Sequence, residues 1–295
     1  MNPIKIHARK PTPAEKTAPA FTALIVTYNS EDEISTLLTD LRSYPHPPRT
    51  IVIDNASQDQ TVERVRAQFP EVQLIENAQN IGYARAVNQG IALCPTDFVF
   101  LLNPDIHIPS PTLFPALLAC LAPSPRIAVA APLQFKQTGE TRSLNFTWSY
   151  IAPSALRIFL AHRFHWGHPD PTPRPVTFLN AGCLLIRKSA FMHVGKLNEK
   201  YFLYGEEPDL FLKLKRFGYE CRLHPGEAVI HHRERSLNTV PSLKRLRFRV
   251  RGWLNILDAL INGYFQLLLA NLQNRRKYPQ KSNRRRLLRG SDMSK

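Results

Sequence analysis

The sequence predicts an α/β protein built on a mostly parallel sheet flanked by helices. Three observations carry that prediction. From Phe21 onward, short apolar runs alternate with amphipathic stretches at helical spacing. The apolar runs are short and continuous, as buried strands are. Polar residues stand where each run ends, and open α/β sheets bind their ligands outside the carboxyl ends of their strands.

Taken in order, FTALIVTYN (21–29) reads as the first strand, and SEDEISTLLTDLRSY (30–44) as a helix opened by Ser30 with acids in its first turn. RTIVIDNAS (49–57) and DQTVERVRAQF (59–69) repeat the pair, and VQLIENA (72–78) with IGYARAVNQGIALC (81–94) repeats it again. DFVFLLNPD (97–105) is the fourth strand. This alternation implies right-handed crossovers between parallel strands. Further on, 110–125 reads as a helix bracketed by prolines and IAVAAPLQF (127–135) as a strand. Residues 139–177, rich in aromatics and proline, read as irregular, and long segments of that kind are functional or disordered. FLNAGCLLIRKSAF (178–191) returns to strand then helix, and AVI (228–230) is strand-like. If the sheet is parallel, Thr27-Tyr28-Asn29, Asp54-Asn55, Asn80, Asn103 and Asp105 converge on one crevice.

The chain has 295 residues, ample for a sizeable core, and a net charge of +16 that is unevenly placed. Residues 241–295 carry 14 Lys/Arg against two Asp, so the first 240 hold only about +4. A near-neutral body over 21–240 is therefore followed by a basic extension, 241–295, and preceded by a Pro/Ala/Lys-rich segment, 1–20, expected to be a disordered tail. Cys94, Cys120, Cys183 and Cys221 form no CxxC pair, which argues against a zinc or disulfide framework and for reduced thiols in a cytosolic protein. There is no leader-like apolar segment and no run of 18 apolar residues that would span a bilayer. Neither GxGxxG after the first strand nor GxxxxGK[ST] occurs, which argues against a dinucleotide enzyme or a P-loop NTPase.

Within the extension, LKRLRFRVR (243–251) interleaves bases with apolar groups. GWLNILDALINGYFQLLLANL then places Asn255, Asp258, Asn262 and Gln266 at steps of three, four and four, one polar stripe on a mostly apolar helix. Cationic blocks on both sides suit an interfacial helix on an anionic leaflet. The alternative is a helix packed on the body or on a second copy, with a solvated basic tail. The Arg-rich end has few aromatics beyond Tyr278 and no recognised module, so nucleic acid is not an expected partner.

Seven segments in order carry a resemblance: VTYNS (26–30), VIDNASQDQT (52–61), NIGYARAVNQG (80–90), LLNPDI (101–106), NAGCLLIRKSAF (180–191), YGEEPDLFLKLKRFGY (204–219) and VIHH (229–232). Through them the body resembles family 2 glycosyltransferases of the Rossmann-like GT-A fold, of the bacterial rhamnosyltransferase-like kind that builds cell-surface polysaccharide. The resemblance implies an inverting transfer of a hexose or deoxyhexose from a nucleotide-sugar to a lipid-linked or polysaccharide glycan. It implies that Asp105, with His231 completing the shell, ligates Mg²⁺ or Mn²⁺ on the donor diphosphate. Asn103 replaces the first Asp of the commoner motif. Asp54 would accept hydrogen bonds from the donor base or ribose, Thr27, Tyr28 and Asn29 would line the nucleotide slot, and Asn80 and Gly82 would shape the loop beneath it. Arg85 could reach a phosphate or simply face solvent.

Glu207 falls where the resemblance puts the catalytic base, with Asp209 and Glu206 as fallbacks. Each residue also has a plainer role: Asp54 an Asx turn, Asp105 a Pro-Asp turn, Asp209 a helix-dipole partner. A noncatalytic sugar-nucleotide-binding protein is the competing function. The expected location is cytoplasmic, peripheral on the inner face of the cytoplasmic membrane, with a homodimer left open.

Overall fold

The computed structural model describes residues 5–6, 21–135 and 172–232, and within 250–269 all but 252, 253, 256 and 267. In chain order the elements are β1 (Lys5–Ile6), β2 (Thr22–Thr27), α1 (Ile34–Arg42), β3 (Arg49–Asp54), α2 (Thr61–Gln68), β4 (Gln73–Glu76), α3 (Tyr83–Leu93), β5 (Phe98–Leu102), β6 (Ile106–His107), α4 (Leu113–Leu121) and β7 (Ile127–Phe135). They continue with β8 (Arg174–Val176), β9 (Cys183–Arg187), α5 (Lys188–His193), α6 (Glu206–Arg216) and β10 (Glu220–His231). A last helix, α7, runs over 250–269.

The described strands form one mixed sheet in the order β1-β4-β3-β2-β5-β9-β7-β10-β6, with β8 on β10. Its N-terminal block, β4-β3-β2-β5, is parallel throughout, and β7 and β10 also pair in parallel. Strands β5 and β9 run antiparallel, which brings the 180–182 segment beside the end of β5, where Gly182 O accepts from Asn103 N. The α/β class and the parallel block are as the strand–helix alternation requires.

Both faces of the sheet are covered. Leu24 and Val26 of β2 join α3, α5 and α6 through Val87, Ile91, Phe191 and Phe211 in one apolar layer. Ala23 and Ile25 join α1, α2 and α4 through Leu37, Val65 and Phe114 in the other. Burying each such Leu, Ile or Phe contributes about 2 kcal/mol. That load fixes the register of β2, because a one-residue slip would exchange the two layers.

Several expectations shift. The first helix begins at Ile34 rather than Ser30, with no side-chain cap. The Glu31 carboxylate accepts from the amide of Gln60 at the head of α2, and Ser30 N donates to Thr61 Oγ1 there, so these two residues tie the loop to a neighbouring helix. Lys5–Ile6, in the segment expected to be a disordered tail, pairs antiparallel with β4. The strand-like AVI is the end of the twelve-residue β10, which carries a register shift between His224 and Ala228. Of the region read as irregular, 139–171 lies outside the described residues, while β8 is an edge strand. The flanks of α7, 233–249 and 270–295, also lie outside them. All four cysteines are buried and free.

Candidate active site

The ends of β2 and β3 interlock. Asp54 accepts from the Thr27 hydroxyl at 2.9 Å, the Ser57 hydroxyl at 2.5 Å and the Ser57 amide at 2.9 Å, and is 1% exposed. Asn29, at φ 51, accepts from Gln58 N and donates its own amide to Ser57 Oγ. With these turns pinned, Tyr28 stands out, 45% exposed at the lip. Asp54 closes a side-chain turn with Ser57, a residue the sequence reading passed over; the Asx turn expected of Asp54 at the head of the next helix is made instead by Asp59 to Thr61 N.

The next wall comes from the loop into α3. Asn80 Oδ1 receives the Gly82 amide at 2.9 Å, and Asn55 Nδ2 reaches Gly82 O at 3.4 Å. Gly82 sits at φ 85, ψ 159, a region open only to glycine, and an added Cβ would lie 2.8 Å from both the ring and the carbonyl of Phe202. That contact joins the loop into α3 to the segment leading into α6. Arg85 instead faces Glu199 at 3.4 Å, largely in solvent.

A second corner gathers Asn103, Asp105 and His231. β10 returns beside β6, so His232 N donates to Asp105 O and His231 Nε2 lies 3.2 Å from Asp105 Oδ1. The imidazole is 3% exposed and fixed from behind. Gln134 Nε2 donates to Asn180 O at 2.9 Å, which turns Gln134 Oε1 toward His231 Nδ1 at 3.1 Å. His231 Nδ1 therefore donates, and Nε2 is turned toward the Asp105 carboxylate, with Asn103 Nδ2 at 3.5 Å. When the ring is neutral, Nε2 presents a lone pair beside a carboxylate oxygen. Cis ligands about 2.1 Å from one octahedral cation stand roughly 3 Å apart, so the pair suits Mg²⁺ or Mn²⁺. No cluster of three or more His, Cys, Asp or Glu occurs among the described residues, so such an ion would take its other ligands from phosphate and water.

Helix α6 supplies the third wall. Gly205, at φ 101, turns the chain, and Glu206, Glu207 and Asp209 fill the first turn with Pro208 among them, complementing the helix dipole. The three acids diverge. Asp209 is bound to Lys213 at 2.6 Å. Glu206 is 2% exposed, its Oε2 has no hydrogen-bond partner, and burial, reinforced by Glu207, pushes its carboxyl up to about 8. Glu207 is half-buried beside a small pocket lined by Tyr83, Leu101, Leu184 and Phe211.

Tyr83 ties the corners together. Its hydroxyl lies 3.5 Å from Asn103 Oδ1. Burial first, then the charges of Glu207, Glu206 and Asp105, raise its phenol well above the ordinary value. The Asn103–Asp105–His231 corner and the head of α6 therefore both adjoin one partly buried ring. Tyr83, Gln134 and Asn180 escaped the sequence reading. Gln134 had left a signal, as the one uncharged amide in the otherwise apolar run IAVAAPLQF.

With this geometry in place, likeness to known proteins can be set beside it. The family model described as Glycosyl transferase family 2 matches residues 22–195. An N-acetylglucosaminyl-diphospho-decaprenol L-rhamnosyltransferase of Mycobacterium tuberculosis is 29% identical over 238 residues, 74% of this chain and 77% of that one. The mannosyltransferase PcManGT from Pyrobaculum calidifontis, solved with GDP-Man and Mn²⁺, superposes at a TM-score of 0.55 and 15% identity, over 92% of this chain and 79% of that one. Glucosyl-3-phosphoglycerate synthase from Mycobacterium tuberculosis, solved with Mn²⁺, UDP and glucosyl-3-phosphoglycerate, gives 0.55 at 16% identity, over 85% and 81%. At such identities the structural likeness speaks for the fold.

Proposed function

The chain belongs to glycosyl transferase family 2 and is a glycosyltransferase drawing on a nucleotide-sugar donor; from that premise we propose a metal-dependent, inverting transfer of a hexose or deoxyhexose to a lipid-linked or polysaccharide glycan. The observation that carries this reading is the position of Tyr83, which lines one pocket with Glu207 while its hydroxyl lies 3.5 Å from Asn103, the neighbour of His231 and so of Asp105. A sugar lying between these acids has a base on one side and a diphosphate anchor on the other.

In this reading Tyr28 stacks on the donor base. Asp54 keeps Thr27 and Asn29 in place and offers the remaining lone pair of its Oδ2 to the base or ribose. Asn80 and Gly82 hold the loop beneath the sugar, and Asn103 keeps His231 Nε2 aimed. Asp105 Oδ1 and His231 Nε2 would hold a divalent cation, whose charge would offset that of a departing diphosphate. The acceptor hydroxyl oxygen bonds to the anomeric carbon from the face opposite the diphosphate. The bond from that carbon to the diphosphate oxygen breaks, nucleoside diphosphate leaves, and Glu207 takes the hydroxyl proton. Asp209, neutralised by Lys213, braces the helix. The relative acting as an L-rhamnosyltransferase on a decaprenol-linked acceptor supports a deoxyhexose donor and a lipid-linked acceptor.

A screen of UDP-, GDP- and dTDP-sugars for nucleoside diphosphate release, with and without Mn²⁺ or Mg²⁺, tests the proposal against Asp105→Ala. Release by wild type that needs the metal and is lost in the variant is expected. A variant working at the full rate removes the metal role.

A further inference from the structure

Helix α7 meets the body through the first half of its polar stripe and the small residues beside it: Asn255 and Asp258 point inward and Ala259 is buried, while Asn262 and Gln266 are exposed. Asn255 Nδ2 donates to Leu203 O at 3.1 Å. Asp258 accepts from the Tyr201 hydroxyl at 2.8 Å and pairs with Lys200 Nζ at 2.8 Å. Gly205 and Gly263 allow backbone-close contact with Asn255 and Leu212. The outward face is apolar: Leu254, Ile261, Phe265 and Leu268, at steps of seven, four and three, are 54, 60, 57 and 56% exposed. Amphipathic helices of soluble proteins turn such a stripe to the core, and contiguous exposed apolar patches mark an interaction surface.

The flanking sequence selects the occupant. Lys244, Arg245, Arg247, Arg249 and Arg251 precede the face, and eight further Lys/Arg follow it between 275 and 289. An apolar stripe between cationic blocks complements an anionic bilayer, where side chains such as Phe265 enter the acyl boundary and bases meet headgroup phosphates. A protein partner would have to bury those charges. No described helix is long and apolar enough to cross a membrane, so the contact is one that lies on a surface.

We infer that α7 is a docking face for an anionic lipid bilayer, seated through Asn255 and Asp258 on the 200–205 segment that leads into Glu206 and Glu207. The helix thereby sets which side of the cleft meets the membrane, and a lipid-linked acceptor would reach Glu207 from that side. This orientation deepens the transferase reading, but the docking itself is measured without donor or acceptor and stands or falls separately.

Flotation of the full chain with vesicles of phosphatidylcholine and phosphatidylglycerol in a two-to-one ratio, against pure phosphatidylcholine, tests it. Wild type floats with the anionic vesicles, and half-molar salt weakens the binding. Phe265→Asp combined with Leu268→Asp lowers the partition coefficient about tenfold or more at unchanged melting temperature, since both side chains already face out. Equal flotation with both vesicle types, undiminished binding by the double variant, or a sedimentation-defined dimer that the double variant dissociates would overturn the inference. Because the lipid and salt comparisons need only wild type, a variant that fails to fold still leaves the test decisive.

Discussion

At the ends of β2 and β3, Asp54 accepts three hydrogen bonds and Asn29 is bound through both amide and side chain. Around α6 and α7, a glutamate oxygen is buried without a hydrogen-bond partner and large apolar side chains face outward. The donor side is thus satisfied by its own chain, with its turns preorganised before any ligand arrives. The acceptor side holds groups whose best partners lie outside the chain, as a reacting hydroxyl or an apolar surface would. Preorganisation lowers the cost of binding on the first side, and the cost stored on the second is where the proposed chemistry and docking would draw their partners.

The largest expected effect separates the two sides by activity. Glu207→Gln removes the proposed base while keeping its shape, and should lower kcat by about 10²–10⁴-fold. Donor affinity, read by calorimetric titration of the nucleoside diphosphate, should stay within about twofold, since a group acting only in the transition state leaves ground-state binding unchanged. An equal loss in both quantities would mean that Glu207 belongs to the donor side.

Gly82→Ala attacks the joint between the regions. The new Cβ meets the Phe202 ring and carbonyl in a backbone conformation that only glycine favours. A loss of about 2–4 kcal/mol in urea-unfolding free energy is expected, together with weaker donor binding. Unchanged stability would show that the loop and the 202 segment move apart freely, and the two sides would then be uncoupled.

How far the sequence revealed this arrangement follows the same division. Polar residues ending apolar runs made the interlocked ends of β2 and β3 legible, because strand period and loop chemistry are local. Asp54 was legible as a turn former for the same reason. His231 was placed by motif alone, but Gln134 and Asn180, which orient its ring, come from β7 and from the segment before β9, far apart in sequence. Ser30 was misread because Glu31 serves a helix about thirty residues on. In α7 the spacing disclosed a polar stripe without disclosing which face is outward, since periodicity fixes an angle around a helix and not its orientation toward a body. Only the partners Leu203, Tyr201 and Lys200 decide that.

Glu206→Gln probes the buried acid. Its carboxyl is raised from 4.5 to about 8, so the folded state holds a proton that the unfolded chain releases earlier. The stability linked to this group is fully present below the ordinary carboxylate value and is lost as pH rises through about 8. Wild type should therefore lose up to a few kcal/mol of unfolding free energy between mildly acidic and mildly alkaline buffer. The Gln variant, an uncharged mimic of the protonated form, should show little of that slope in thermal melts across the same range. An identical slope in both proteins would place the unsatisfied charge elsewhere and weaken the contrast between the regions.

The smallest effect concerns the seat of α7. Lys200 first, then Tyr201, hold the Asp258 carboxyl below its ordinary value through hydrogen bonds. Its stabilising contribution is therefore present above the unfolded carboxylate pKa and lost as pH falls through the depressed folded value. The side chain is 46% exposed, so solvent screening limits the pair to less than about 1 kcal/mol. Asp258→Asn should leave the global melt almost unchanged while speeding amide exchange across 254–266, and should remove the acid-induced step in that exchange shown by wild type. Asn255→Ala, which strips the contact to Leu203 O, should add to the effect because the two residues use different partners. Exchange unaffected by both changes would mean that backbone contact at Gly205 and Gly263 seats the helix, and that the inward polar residues serve only to keep the opposite face apolar.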